Sequence, residues 1–206
     1  MSDELLTAEE FADRKFDLPN AGRWVELVKG RIVTLHPPND AHGRTLLNLS
    51  KTLASALEIN RQGYFCFELA VSVARNPDTV RSPAACFFVD GPQFGEMDEI
   101  VSFRIPAIVI ELASTPDRQK SMQQRVDEYQ ALGTELVWII DVGQRSVNCI
   151  HSNGERFSLS ESETLTARPT WTCERLDRPL LEGFNCPIST FFEEPDWWTG
   201  KSSPSV

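Results

Sequence analysis

A chain of 206 residues with 30 acidic and 20 basic side chains carries a net charge of -10, which argues against a general polyanion-binding surface while leaving room for a local basic groove. Hydrophobic content of 41% and charged content of 24% match an ordinary globular protein with one substantial core, and no segment approaches the ~20 apolar residues that span a bilayer. The five cysteines (Cys66, Cys86, Cys149, Cys173 and Cys186) are odd in number, widely spaced and without CxxC or Cys/His metal spacing, so reduced core thiols are expected rather than a disulfide framework.

The opening MSDELLTAEEFADRKF lacks the basic start and apolar stretch of a secretory signal, and the expected location is the cytoplasm. Within it, Thr7 and Glu10 have the spacing of a capping box, which predicts a short helix. WVELV (24–28) and RIVTL (31–35) flank Lys29-Gly30 and read as a hairpin. From Asn39 or Asp40, either a good N-cap, the three- and four-residue steps of His42, Leu46, Leu49, Leu53 and Ala56 predict a helix to about Ile59. YFCFELAVSV (64–73) and the segment 84–89 then predict a strand pair, separated by the turn residues Arg75-Asn76-Pro77-Asp78.

The apolar run AIVIELA (107–113) reads as a buried central strand interrupted by Glu111. An ionised carboxylate out of water costs several kcal/mol (order of magnitude) unless a cation, a metal or several donors compensate it, so Glu111 demands a partner. Ser114-Thr115-Pro116-Asp117 supplies an N-cap, a proline at the first helical position and an acid in the first turn, and Gly133 supplies a stop. The helix between them leads into the strand ELVWIID (135–141), which completes a strand, helix, strand unit. At 100° per residue, Val126 and Tyr129 lie within about 40° of Met122, Arg118 and Arg125 edge that inward stripe, and Lys120 points away. A guanidinium from this helix can therefore reach Glu111, or a phosphate bound near it.

Short strands are expected from SVNCI through Thr166, an irregular region over 167–179, and a closing apolar piece LLEGFNCPISTFF (180–192) that packs back on the core. One domain over 1–192 is expected. A tail over 193–206 follows, with Trp197 and Trp198 covering a hydrophobic seam or a subunit contact and a disordered KSSPSV end.

Taken together, Glu26-Leu27-Val28-Lys29-Gly30-Arg31-Ile32, Pro37-Pro38 with His42, Thr79-Val80-Arg81-Ser82-Pro83, Glu111-Leu112-Ala113-Ser114, and Tyr129 with Gly133 resemble the Uma2 family. That family is similar to the restriction-endonuclease-like PD-(D/E)XK nucleases. The resemblance covers roughly Trp24 to Phe192, and order and spacing carry it rather than any one motif. It implies an α/β (α+β) fold with a mixed central sheet, flanking helices and additional hairpins. It also implies a Mg²⁺-dependent endonuclease hydrolysing DNA phosphodiester bonds, with Mn²⁺ as a substitute ion. On that reading Glu111 and Glu26, with Glu68 as a compensating ligand, hold the ion, and Arg125 stands where the family's helix lysine is expected. His42, Ser114 and Arg118 would meet the substrate.

Two departures bear on activity. Ala84 follows Pro83 where the family pattern has a metal-binding Asp, and Arg125 keeps the lysine's charge but not an amine that can shift its pKa. The alternative is thus a degenerate nuclease fold acting as a nucleic-acid-binding, regulatory or protein-interaction module, with a homodimer compatible with either. Residue by residue, the plainer alternatives are a buried Glu111 ion pair with Arg118 or Arg125, a solvated Glu68, an ordinary hairpin Glu26, a packed first-turn His42, a core Tyr129, and Ser114 and Thr115 as N-caps. Asp78 and Asp90 read as turn acids.

Overall fold

The computed structural model describes residues 5–60, 63–92, 95 and 99–194; the expectations for the end of the tail, Trp197 and Trp198 included, lie outside them. Helix α1 (Ala8–Arg14) begins on the capping box formed by Thr7 and Glu10. Strands β1 (Val25–Val28) and β2 (Arg31–Thr34) form the hairpin, with Lys29 at φ 51° and Gly30 at φ 75°, the positive pair a tight two-residue turn requires. A Cβ at Gly30 would also stand 2.7 Å from Leu5 Cβ. Helix α2 (Asp40–Asn60) settles its own start, because the Asn39 side chain accepts from the His42 N–H.

The predicted strand 64–73 divides in two. β3 (Tyr64–Phe67) and β4 (Ala70–Ala74) belong to different sheets, and the turn at 75–78 joins β4 to β5 (Thr79–Arg81) rather than to β6 (Ala85–Phe88). The break falls at Glu68, whose φ of 54° takes it out of extended geometry, and its N–H donates to the Ala84 carbonyl.

Beyond β7 (Val101–Ser102), β8 (Ile108–Leu112), α3 (Pro116–Leu132) and β9 (Leu136–Asp141) form the predicted unit, with β8 and β9 parallel. Gly133 ends α3 at φ 103°. β10 (Ser146–His151), β11 (Arg156–Ser160), β12 (Thr164–Thr166) and β13 (Asn185–Pro187) follow. One sheet runs β2-β1-β5-β4-β7, a second runs β11-β10-β9-β8-β6-β3, and β12 pairs with β13.

Strand alternation assigns the faces. Ile108, Ile110 and Leu112 of β8 join the core shared with Leu49 and Leu53 of α2 and with the closing segment through Phe191, whereas Val109 faces Val126 and Tyr129 of α3. In the other sheet Val25, Leu27 and Val80 pack on Phe11 of α1, while Val71 and Val73 of β4 face α3. Helix α3 therefore lies between the two sheets. All five cysteines are free thiols, and among the described residues no helix is long and apolar enough to cross a membrane.

Candidate functional site

That parity points two carboxylates at one helix. Glu111 shares the face of Val109 on β8, and Glu26, between Val25 and Leu27 on β1, points away from α1; both are fully buried and both meet α3. The residue between them is Arg125. Its Nε donates to Glu111 Oε1 at 2.7 Å, and its Nη1 and Nη2 donate to Glu26 Oε2 and Oε1, each at 2.7 Å. The two-pronged contact with Glu26 is the planar geometry that only a guanidinium offers.

Neighbours complete the set. Glu26 also accepts from the Ser82 N–H at 2.8 Å and from Arg81 Nη1 at 3.0 Å, and Arg81 in turn binds both Glu128 oxygens at 2.7 and 3.0 Å. Tyr129 donates its hydroxyl to Glu111 Oε1 at 2.5 Å. Burial raises the Glu26 carboxyl, but Arg125, Arg81 and the Ser82 N–H outweigh it and leave the group at about 2. Burial lowers the Arg125 guanidinium, but Glu111 and Glu26 hold it well above its ordinary value. Burial first, then the Glu111 charge, pushes Tyr129 well up, so its phenol stays protonated and donates.

One turn pair earlier on α3, Arg118 is as hidden and far less engaged. It is 5% exposed, its Nη1 reaches the Ser82 carbonyl at 3.4 Å and stands 3.7 Å from Glu111 Oε2, and its Nε has no partner among the described residues. Ser82 Oγ has no hydrogen-bond partner among the described residues either, and Glu111 Oε2 has none beyond that ion-pair contact. His42 Nδ1 lies 2.7 Å from Ser114 Oγ, and burial followed by the Arg118 charge lowers the imidazole to about 4, which keeps it neutral. Thr115 holds the N-cap position of α3 without a capping side-chain bond; its hydroxyl binds Asp117 instead, and Ser114 serves His42.

A cleft of about 550 Å³ opens beside this network. Glu26, His42, Ala84 and Arg118 form its buried part, and Lys15, Phe16, Arg23 and Glu68 its more open wall. Of the site residues expected from the sequence, Glu26, Glu111, Arg125 and Arg118 thus meet, His42 and Ser114 bond to each other beside them, and Glu68 stays exposed at the cleft. Sequence reasoning missed the parts of Arg81, Ser82 and Glu128; Tyr129 is in the core as expected, and its bond to Glu111 is a further part that a buried tyrosine hydroxyl's need for an acceptor could have signalled. Asp78 is a structural acid that accepts from the Ala8 and Asn76 N–H groups.

A Mg²⁺ site asks for near-octahedral oxygen ligands. Both Glu26 oxygens and Glu111 Oε1 are committed to donors. Ala84 offers only a methyl group, and no group of three His, Cys, Asp or Glu able to hold a metal occurs among the described residues. These residues do not fit a resident divalent ion, because a guanidinium already supplies the positive charge that the carboxylates require.

A search of curated proteins gives no match. A crystal structure of a "putative nuclease belonging to DUF820" from Anabaena variabilis is similar over 91% of this chain and 97% of that one, with a TM-score of 0.67 and 19% identity, a likeness of fold. The family model described as "Putative restriction endonuclease" matches residues 8–186, most of the chain. The protein belongs to the Uma2 family, with the restriction-endonuclease-like fold that its sequence motifs imply.

Proposed function

We propose that this chain is a nuclease-fold protein that has given up metal-dependent hydrolysis and acts as a nucleic-acid-binding module through its cleft. The observation that carries the reading is Arg125, bonded at 2.7 Å to both carboxylates that would otherwise hold an ion, with Ala84 in the place of the family's Asp. Binding is supported by local charge. Within the network Arg81, Arg118 and Arg125 face Glu26, Glu111 and Glu128, and at the open wall Lys15 and Arg23 outnumber Glu68. The residues lining the cleft thus carry one net positive charge on a chain whose net charge is -10.

The rival reading is a Mg²⁺-dependent endonuclease in which Glu26, Glu111 and Glu68 hold the ion and Arg125 neutralises phosphate. It requires Arg125 to leave three buried charge-assisted bonds, a rearrangement that costs several kcal/mol (order of magnitude). Calorimetry with Mg²⁺ and Mn²⁺, plasmid DNA at high protein concentration, and DNA binding measured against salt separate the readings. The expected result is no heat of ion binding, intact plasmid, and DNA binding that weakens steeply with salt as counterions are released. Ion binding accompanied by cleavage would establish the endonuclease. Absence of any salt-dependent binding would leave an interaction protein without a nucleic-acid role.

A further inference from the structure

The cleft has two properties that a generic nucleic-acid groove does not need. Its floor holds Arg118, a residue 5% exposed whose guanidinium makes one long hydrogen bond at 3.4 Å and one ion-pair contact of 3.7 Å with Glu111 Oε2, and whose Nε has no partner among the described residues. A guanidinium carries five N–H donors, and burying them unpaired is costly. Beside it Ser82 Oγ is buried and unpartnered, and neutral His42 completes the wall. The neighbouring arginines differ: all three nitrogens of Arg125 on α3 are used at 2.7 Å, and Arg81 of β5 makes bonds of 2.7 to 3.0 Å. Arg118 and Ser82 both line the same cavity.

The cavity's size is the second property. About 550 Å³ lies within the range of small-molecule clefts, roughly 300–1,000 Å³, and well below what a duplex segment occupies. An internal phosphodiester carries a sugar on each side, so it cannot push its oxygens onto groups this deeply buried. A terminal phosphate can, because it presents three free oxygens at the tip of the chain. Aromatic surface stands at the same cavity: Trp24 is half-buried in its lining and Phe16 is 65% exposed beside Lys15. Base–aromatic stacking is tolerant of sequence and needs such a ring next to a cation.

We infer that the cleft takes a terminal phosphomonoester of nucleotide chemistry, either a nucleoside monophosphate or the phosphorylated end of a single strand, with Arg118, Ser82 and His42 around the phosphate and Trp24 and Phe16 beside the base. This rests on the nucleic-acid reading above and narrows it from a backbone to an end.

Fluorescence anisotropy of a short single-stranded oligonucleotide at low ionic strength tests it, comparing 5′-phosphate, 3′-phosphate and hydroxyl ends, with nucleoside monophosphates and inorganic phosphate as competitors. A phosphorylated end is expected to bind about tenfold or more tighter than a hydroxyl end, the scale of a charge-assisted hydrogen bond. Ser82→Ala and Arg118→Met are expected to remove that increment. Because Ser82 Oγ has no partner in the fold, the first variant keeps the test valid should the second fail to fold. Competition by nucleoside monophosphate assigns the site to the free nucleotide, and competition by the phosphorylated strand alone assigns it to the strand end. Equal, salt-dependent binding of phosphate and hydroxyl ends overturns the inference and leaves the nucleic-acid reading standing. No binding of any strand, with no heat from nucleoside monophosphate in calorimetry either, overturns both. Inorganic phosphate competing as well as the nucleotides overturns the role of Trp24 and Phe16.

Discussion

Two arginines on one helix, Arg125 and Arg118, sit two turns apart, are both buried and face the same glutamate, yet they do opposite work. Arg125 has every nitrogen bonded at 2.7 Å and joins Glu26 of one sheet to Glu111 of the other. Arg118 has one bond at 3.4 Å and an ion-pair distance of 3.7 Å. A charge in the interior is held by complete partnership, so the fully partnered arginine reads as architecture and the half-partnered one as a receptor. Burial alone would not separate them; counting donors against acceptors does.

The largest effect is expected at Arg125. Arg125→Met takes the shared cation from two buried carboxylates, leaving Glu26 with Arg81 and the Ser82 N–H and Glu111 with the Tyr129 hydroxyl and a distant Arg118, a loss on the order of 3–5 kcal/mol against a typical total of about 5–15 kcal/mol. Denaturant unfolding should show a much reduced midpoint or no folded baseline; a near-native midpoint would erase the distinction between the two arginines.

Acidification is expected to act next, in two windows. Glu26 is held at about 2 against an ordinary 4.5, so its contribution is complete above about pH 4.5 and is lost as pH falls toward 2. His42 is held at about 4 against 6.5, so its neutral form is favoured by folding, complete above about pH 6.5 and lost as pH falls through 4. Each is worth roughly 3 kcal/mol as an upper order of magnitude. A melting-temperature series from pH 7 to 3 should decline through both windows, and His42→Asn should flatten the upper one. A profile flat from 6.5 to 4 would mean that the imidazole reaches water.

The smallest effect on stability is expected at Arg118. Replacing an under-partnered buried cation by a methionine of similar length removes one weak bond and also its desolvation, so Arg118→Met should shift stability by no more than about 1 kcal/mol in thermal unfolding. A loss as large as that at Arg125 would give both arginines the same role.

Much of this contrast was legible in the sequence. Glu111 announces itself as one acid in the apolar run AIVIELA, the turn residues around 114–117 and Gly133 bound the helix, and angular counting puts Arg118 and Arg125 at the rim of its inward stripe. What angular counting does not reveal is which rim residue is satisfied, because the deciding partners are remote in the chain. Glu26 lies 99 residues from Arg125, and Arg81 lies 47 from Glu128. The divided strand at Glu68 was hidden for another reason: a left-handed glutamate leaves no trace in hydrophobic periodicity, and no glycine marks the place. Glu26 came from family resemblance, since one acid in a hairpin strand has no local signature.

Arg125 also acts as a rivet through three layers, hooked at one end to β1, at the other to β8, and carried by the helix between them. Prising the sheets apart would strand a naked cation and two naked anions in oil at once. Whatever enters the cleft therefore meets, at Glu26, a floor pinned to both sheets, with Phe16 and Lys15 at its open edge.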